Sequence, residues 1–234
     1  MKKFLCILSV SLLLVVTALS AVACSSKTED PSETLARWQR TYTAGDFGIR
    51  SLKNPFVEFT LDTNETIRLE LYPTVAPITV NNFVTYVEEG FYEGTAFHRI
   101  VEGEMIQGGG FVLDKDDRFV HKDATHNAIK GEFESNGVTN NLLHTRGVLS
   151  TARTEDTNGA TSQFFICAGT VSRWDGDYAA FGKVIDEESM EVVSRINKLA
   201  TGTESIIYGE SEISSSNVPV TRVKIKKAQL VWDK

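Results

Sequence analysis

From Asn54 onward, apolar residues come in short runs separated by turn residues, and only two segments repeat at helical spacing. A chain divided in this way cannot be built from helical layers. Its buried backbone groups must instead find partners across neighbouring strands. The stretch "FVEFTLDTNETIRLELY" opens the pattern as a hairpin, with Phe56 in the first run, "DTN" as the turn, and Ile67, Leu69 and Leu71 on one face of the second run. Further strands are predicted over 96–101, 105–107, 147–152, 163–167, 179–184 and 221–232. Pro77 opens a first helix whose buried stripe is Val80, Phe83, Val84 and Val87, with Gly90 at the C-terminal cap. A second helix spans about 187–200, with Asp186 as N-cap and Met190, Val193, Ile196 and Leu199 inward. Many short strands with two helices point to a mainly β fold, a barrel closed on itself with the helices over its ends, since closure removes exposed edges.

The first residues belong to a different unit. Lys2 and Lys3 precede an apolar run from Phe4 to Ala18, too short for a membrane span of about 20 residues but suited to the core of an export signal. The run leads to "LSAVAC", which resembles the lipobox of bacterial lipoproteins, with Ala21 where that motif usually carries Leu. The expected organisation is therefore a signal over 1–23, a lipid-bearing Cys24, a linker and N-terminal extension over 24–53, and one domain over 54–234. The alternative is ordinary secretory cleavage, with Cys24 an incidental thiol. On the lipoprotein reading the domain is extracytoplasmic and tied to a bacterial membrane through Cys24.

Loss of the signal removes two lysines and no acid, so the formal net charge of −7 becomes −9. So acidic a domain excludes phosphate-backbone binding as a main task, and no nucleic-acid partner is expected. Of the three cysteines, Cys6 leaves with the signal and Cys24 carries lipid. Cys167 has no partner, so no disulfide staples the fold, and it is expected as a packed free thiol.

The usual catalytic signatures are missing. His121 and His126 lie five apart, which misses the spacing of a helical metal pair, and "DKDD" at 114–117 lacks the Gly and distal Glu of a calcium loop. Neither a metal nor a cofactor is expected. The glycines of "MIQGGGF" lack the strand–loop–helix context of a nucleotide cradle. No motif marks a Ser–His–Asp arrangement.

What remains is "FHRI", "MIQGGG", "IKGEF", "HTRG", "SQFFI" and "FGKV", in that order. Together they resemble the cyclophilin family of peptidyl-prolyl cis–trans isomerases, and "NNLLHTRGVLSTARTEDTNGATSQFFI" resembles its bacterial branch. The resemblance covers roughly residues 54–233 and implies a closed eight-stranded antiparallel barrel capped by two helices. It also explains the missing nucleophile. Rotation about an Xaa–Pro bond faces a resonance barrier of about 18–20 kcal/mol, yet makes and breaks no bond. The enzyme need only favour the twisted amide over the planar one. The resemblance assigns the catalytic positions to Arg99, whose charged fork can donate to the proline nitrogen as its lone pair returns, and to Gln163. It implies an apolar proline pocket at Met105 and Phe165, Tyr178 at the rim, Gln107 as a polar partner, and Ala152–Arg153 pairing with the substrate main chain. Phe164 should face the barrel interior, because neighbours on a strand face opposite sides.

Three positions depart from the family pattern. Glu102 and Glu104 stand in "EGEMIQGG" where Pro and Phe are usual, so a wall of the proline pocket is missing. Glu104 could point inward and pair with Arg99, or outward and leave the pocket shallower. Trp174, in "RWDGDY", either swings over the pocket in place of that Phe or packs elsewhere. Thr151 stands where Met is common. The resemblance implies an isomerase that assists the folding of exported proteins, acting as a monomer on proline-containing peptides and unfolded chains. Cyclosporin binding is left open by the sequence. Glu104 motivates one alternative, a peptide-binding module or holdase with weak turnover, and a solute-binding lipoprotein is the weakest reading.

Overall fold

The computed structural model describes residues 54–231. Cys24, the signal, the linker and the extension lie outside the described residues. The strands are β1 (Phe56–Leu61), β2 (Thr66–Leu71), β3 (Arg99–Val101), β4 (Met105–Gly108), β5 (Phe111–Leu113), β6 (Phe119–His121), β7 (Val148–Thr151), β8 (Phe164–Cys167), β9 (Ala180–Val184), β10 (Thr201–Tyr208), β11 (Ser211–Pro219) and β12 (Ile225–Val231). The two α-helices are α1 (Pro77–Glu88) and α2 (Glu187–Asn197), and a short 3-10 turn spans Ser172–Trp174. Eight strands form one antiparallel sheet in the order β12-β1-β2-β9-β7-β8-β4-β3.

This sheet curls into a half-barrel and does not close, which corrects the expected closed barrel. The edge strands β12 and β3 share no ladder. Their neighbouring segments meet at a single bridge, Ala96 to Lys224. The cause is local: the chain before β3 divides its backbone bonds between two partners. Ala96 N–H donates to Phe111, while Phe97 N–H donates to Val223 at 3.1 Å and Thr95 C=O accepts from Ile225 at 2.8 Å. A second, unanticipated sheet of order β11-β10-β6-β5 packs β11 against β3, and one of its contacts, Ile207 to Val120, is parallel.

The hairpin register decides which apolar residues fill the core. Pairing of Phe59 with Ile67 and Val57 with Leu69 sends Val57, Phe59 and Leu61 inward. Phe56 therefore stands on the opposite face, half-buried. Asn64 supplies the left-handed residue of the turn, with φ 64°. Inside the half-barrel Phe59, Phe83, Tyr92, Phe164 and Phe181 form an aromatic cluster, with Phe83 5.1 Å from both Tyr92 and Phe181. Phe164 points inward, as strand alternation requires.

Each helix begins as its first turn demands. Asp186 caps α2 by accepting from Ser189 N–H at 2.7 Å. The helix stops at Asn197, short of the expected Ala200, because residues 198 and 199 bond back to Arg195 and Ile196 and Ala200 C=O already serves Val220. α1 has no side-chain cap at Ala76. Its orphan N–H groups are met from 53 residues further along the chain, where the buried Glu132 carboxylate accepts from Thr79 at 2.7 Å and also from Ile78 at 3.1 Å.

Candidate functional site

Antiparallel pairing lines up one residue from each of four strands. Arg99 faces Gln107, Gln107 faces Phe165, and Phe165 faces Ser150, which makes a continuous row across β3, β4, β8 and β7. The row one step along, Ile100, Ile106, Ile166 and Leu149, points into the core. Arg99, Gln107 and Phe165 therefore share the outer face of the half-barrel. A cleft of about 610 Å³ lies over them, lined also by Met105, Ala152, Arg153, Arg173, Trp174, Tyr178 and Glu104.

The polar half of the cleft is held by a relay. Arg99 donates to Gln107 Oε1 at 3.2 Å, and Gln107 Nε2 donates to Gln163 Oε1 at 2.9 Å. Gln163 is one step removed from the cleft and touches its lining through Gln107. Two glycines of "MIQGGG" make room for the segment 162–164 that carries it. Gly110 lies so close that a Cβ there would stand 2.4 Å from Gln163 Cγ, and Gly109 adopts φ 82° with Ser162 C=O 2.8 Å from where its Cβ would be. The glycine run thus shapes the strand-to-strand turn beside the cleft.

The apolar half is an aromatic corner. Trp174 approaches Phe165 edge-on with ring centroids 4.9 Å apart, and Tyr178 lies 5.9 Å from Phe165. Met105 and Cys167 pack beneath, in the same cluster as Phe165. Burial, then the Asp175 charge, push the Cys167 thiol up to about 12, so it stays protonated. Glu104 lines the cleft but pairs with Arg173 rather than Arg99, its only ion pair among the described residues. The turn that carries Glu104 is clamped by Asn197 of α2, which donates to Val101 C=O and Met105 C=O and accepts from Gly103 N–H.

Ala152 and Arg153 sit at the cleft edge, where β7 ends. Ala152 N–H is engaged by Gln163 C=O at 3.0 Å, which leaves the Ala152 carbonyl and Arg153 N–H without a backbone partner among the described residues. The Arg153 guanidinium secures its own loop, donating to the carbonyls of Thr154, Glu155 and Asp177 and lying 4.8 Å over the Tyr178 ring.

Four residues near the site carry no role in the sequence reading. His144 stacks behind Phe165 at 5.8 Å, within 3.0 Å of both Asp175 Oδ1 and Ser150 Oγ. With its proton on Nδ1, the ring donates to Asp175 and accepts from the Ser150 hydroxyl. A Ser–His–Asp arrangement is thus present after all, but Ser150 and the His144 ring are 0% exposed and no substrate can reach them. The three fix the wall behind Phe165. "HTRG" contained the His, and strand alternation would have placed Ser150 in the row of Phe165. The fourth residue, Asn217, comes from β11 and also lines the cleft; nothing local in the sequence marks it.

His98, beside the relay, is buried with its ring 4.4 Å from Phe111, and desolvation pushes its pKa from 6.5 down to about 3. The unfolded chain therefore takes up this proton near pH 6.5 while the native state does not. Stability contributed by His98 is complete above that pH and is lost as pH falls toward 3. Between pH 7 and pH 5 the loss is about 2 kcal/mol. In urea unfolding at the two pH values, His98→Asn should shrink the wild-type decrement by about that amount, and an unchanged decrement would refute the assignment.

With this geometry in view, the comparisons decide the family. Residues 56–230 match the model of the cyclophilin type peptidyl-prolyl cis–trans isomerase family. The chain belongs to that family. This cyclophilin is 42% identical over 185 residues to a peptidyl-prolyl cis–trans isomerase of Acinetobacter baylyi, an alignment covering 77% of this chain and 87% of that one. It is 38% identical over 170 residues to peptidyl-prolyl cis–trans isomerase A of Dickeya dadantii, covering 70% and 79%. The crystal structure of a Cryptosporidium parvum isomerase of this type matches the fold with a TM-score of 0.57 at 22% identity, covering 77% of this chain and 99% of that one. Another structure of that isomerase, determined in the presence of the dipeptide Ala-Pro, gives 0.55 at 23% identity and covers 76% and 99%. The chain is a peptidyl-prolyl isomerase by this kinship.

Proposed function

We propose that the outer cleft is the isomerase site and that its substrates are Xaa–Pro segments of exported proteins. One observation carries the reading: the register row that sets a relay-held arginine beside Phe165 at the floor of a single cleft. Phe165, Met105 and Trp174 offer the apolar surface for the proline ring, with Tyr178 at its rim. Trp174 takes the place left by the missing Phe. The Ala152 carbonyl and Arg153 N–H pair with the substrate main chain. As the amide twists, its nitrogen regains a lone pair, and Arg99 donates to it. The charge is fixed beforehand by Gln107 and Gln163, so little reorganisation is needed at the moment of rotation. No step needs a nucleophile, a metal or a cofactor.

Pairing of Glu104 with Arg173 weighs against a holdase without turnover, since that carboxylate is occupied away from Arg99. The domain acts as a monomer in this reading. The signal-like start and "LSAVAC" support an extracytoplasmic position, held by lipid on Cys24. Fatty-acid labelling that persists in Cys24→Ser would remove the anchor. The activity itself is tested by NMR exchange spectroscopy on an Xaa–Pro peptide with catalytic amounts of the 54–234 domain. Exchange should move from the uncatalysed 10–100 s range to well below a second. Peptide binding without faster exchange would sink the isomerase reading and restore the holdase.

A further inference from the structure

We infer that Asn217 is a substrate-binding residue that sets specificity by gripping the peptide flank beyond Arg99, an inference that rests on the isomerase reading of this cleft. Three features of the β10–β11 hairpin single it out, the last two belonging to one bulge. The first is place: β11 packs against β3, and Asn217 lines the same cleft as Arg99. The second is register. Gly202 faces Val218 but Glu204 faces Ser215, so Ser216 and Asn217 together stand opposite Thr203 alone. Such a bulge bends a strand and re-aims a side chain. The third is conformation. Asn217 has φ 60°, in the left-handed region where a side chain is disfavoured and Asn is among the least penalised.

Its half-buried amide makes no hydrogen bond with other described residues. The left-handed backbone belongs to the bulge itself, so the amide is not needed to explain it. What the bulge does is set an amide with no described partner at the edge of the cleft, free to bond what enters it.

The wall itself says which part of a peptide Asn217 meets. Across the sheet the order is Ala152 after β7, Phe165 on β8, Gln107 on β4 and Arg99 on β3, and β11 of the second sheet packs against β3 with Asn217 at the cleft. A peptide with its ring on Phe165 and its reacting amide at Arg99 has one flank along Ala152–Arg153. The other flank crosses Asn217. An amide offers donors and an acceptor together, so it can bond a peptide N–H and C=O whatever the side chains. Rotation about Xaa–Pro turns one flank against the other, and holding both flanks favours the twisted geometry. The substrate class is therefore extended Xaa–Pro segments with residues on both sides, not isolated dipeptides.

The test compares wild type and Asn217→Gly by NMR exchange on three peptides: one extended on both sides, one ending at the proline, and one starting at Xaa. Glycine accepts φ 60° without strain, so the thermal midpoint should hold. Asn217→Gly should lower kcat/KM on the extended peptide about tenfold, should lower it on one truncated peptide, and should leave it unchanged on the other. Unchanged kcat/KM on the extended peptide, or equal losses on both truncated ones, would overturn the role of Asn217 while wild type remains active. Wild type inactive on all three would overturn the isomerase reading instead, and this role with it.

Discussion

Arg99→Ala is expected to lower kcat/KM for an Xaa–Pro peptide about a thousandfold, equivalent to about 4 kcal/mol of transition-state stabilisation. The size follows from what the guanidinium does. It is the cation that the relay holds at the cleft, tied to Gln107 at 3.2 Å, and on the proposed reading it donates to a nitrogen whose lone pair exists only in the twisted amide. An interaction made only in that state lowers kcat as much as kcat/KM. Arg99→Lys keeps the charge and loses the planar fork, so it should recover part of the rate but not all. Fold stability should change little in either variant, because Arg99 bonds one side chain at the surface of the cleft. Steady-state exchange measurements with denaturant unfolding as control check both halves. A loss under tenfold for Arg99→Ala would require another group to stabilise the twisted amide.

The second large effect concerns folding. Glu132→Ala should destabilise the domain by about 3 kcal/mol, by stranding two buried donors at the start of α1. Glu132 is 1% exposed and accepts from both Ile78 and Thr79. Burial raises the pKa of its carboxyl, against the pull of those two N–H groups. Glu132→Gln keeps one acceptor oxygen but points an N–H₂ at the other donor, so it should cost about half as much. Urea midpoints at constant m-value report the difference. A cost below about 1 kcal/mol for the Ala variant would mean that water or a shifted backbone caps the helix instead.

Strand alternation read the site better than it read the architecture. Phe164 and Phe165 separate as neighbours on a strand must, one to the core and one to the cleft. Arg99, Met105, Gln107 and Tyr178 gather at one cleft, in keeping with the family motifs. Alternation alone has two phases, and only pairing with β2 sends Val57, Phe59 and Leu61 rather than Phe56 to the core. The β10–β11 hairpin escaped notice because "GTESIIYGESEISSSN" has little apolar periodicity. Its strands are held mainly by backbone pairing, and few of its side chains are buried. β5 and β6 are three residues each, too short for any period to show.

The sequence by itself determined the strand-rich class, both helices, the family, and the motif residues Arg99, Met105 and Phe165 that gather at one cleft. These depend on local periodicity, caps and short motifs, which are written in neighbouring residues. Tertiary structure alone decided that the half-barrel stays open, that Glu104 pairs with Arg173, that Glu132 caps a helix 53 residues before it, and that Asn217 reaches the cleft. Each depends on two segments distant in the chain arriving at hydrogen-bond range. No local pattern encodes such a meeting, because it is fixed by the register and curl of the sheet between them.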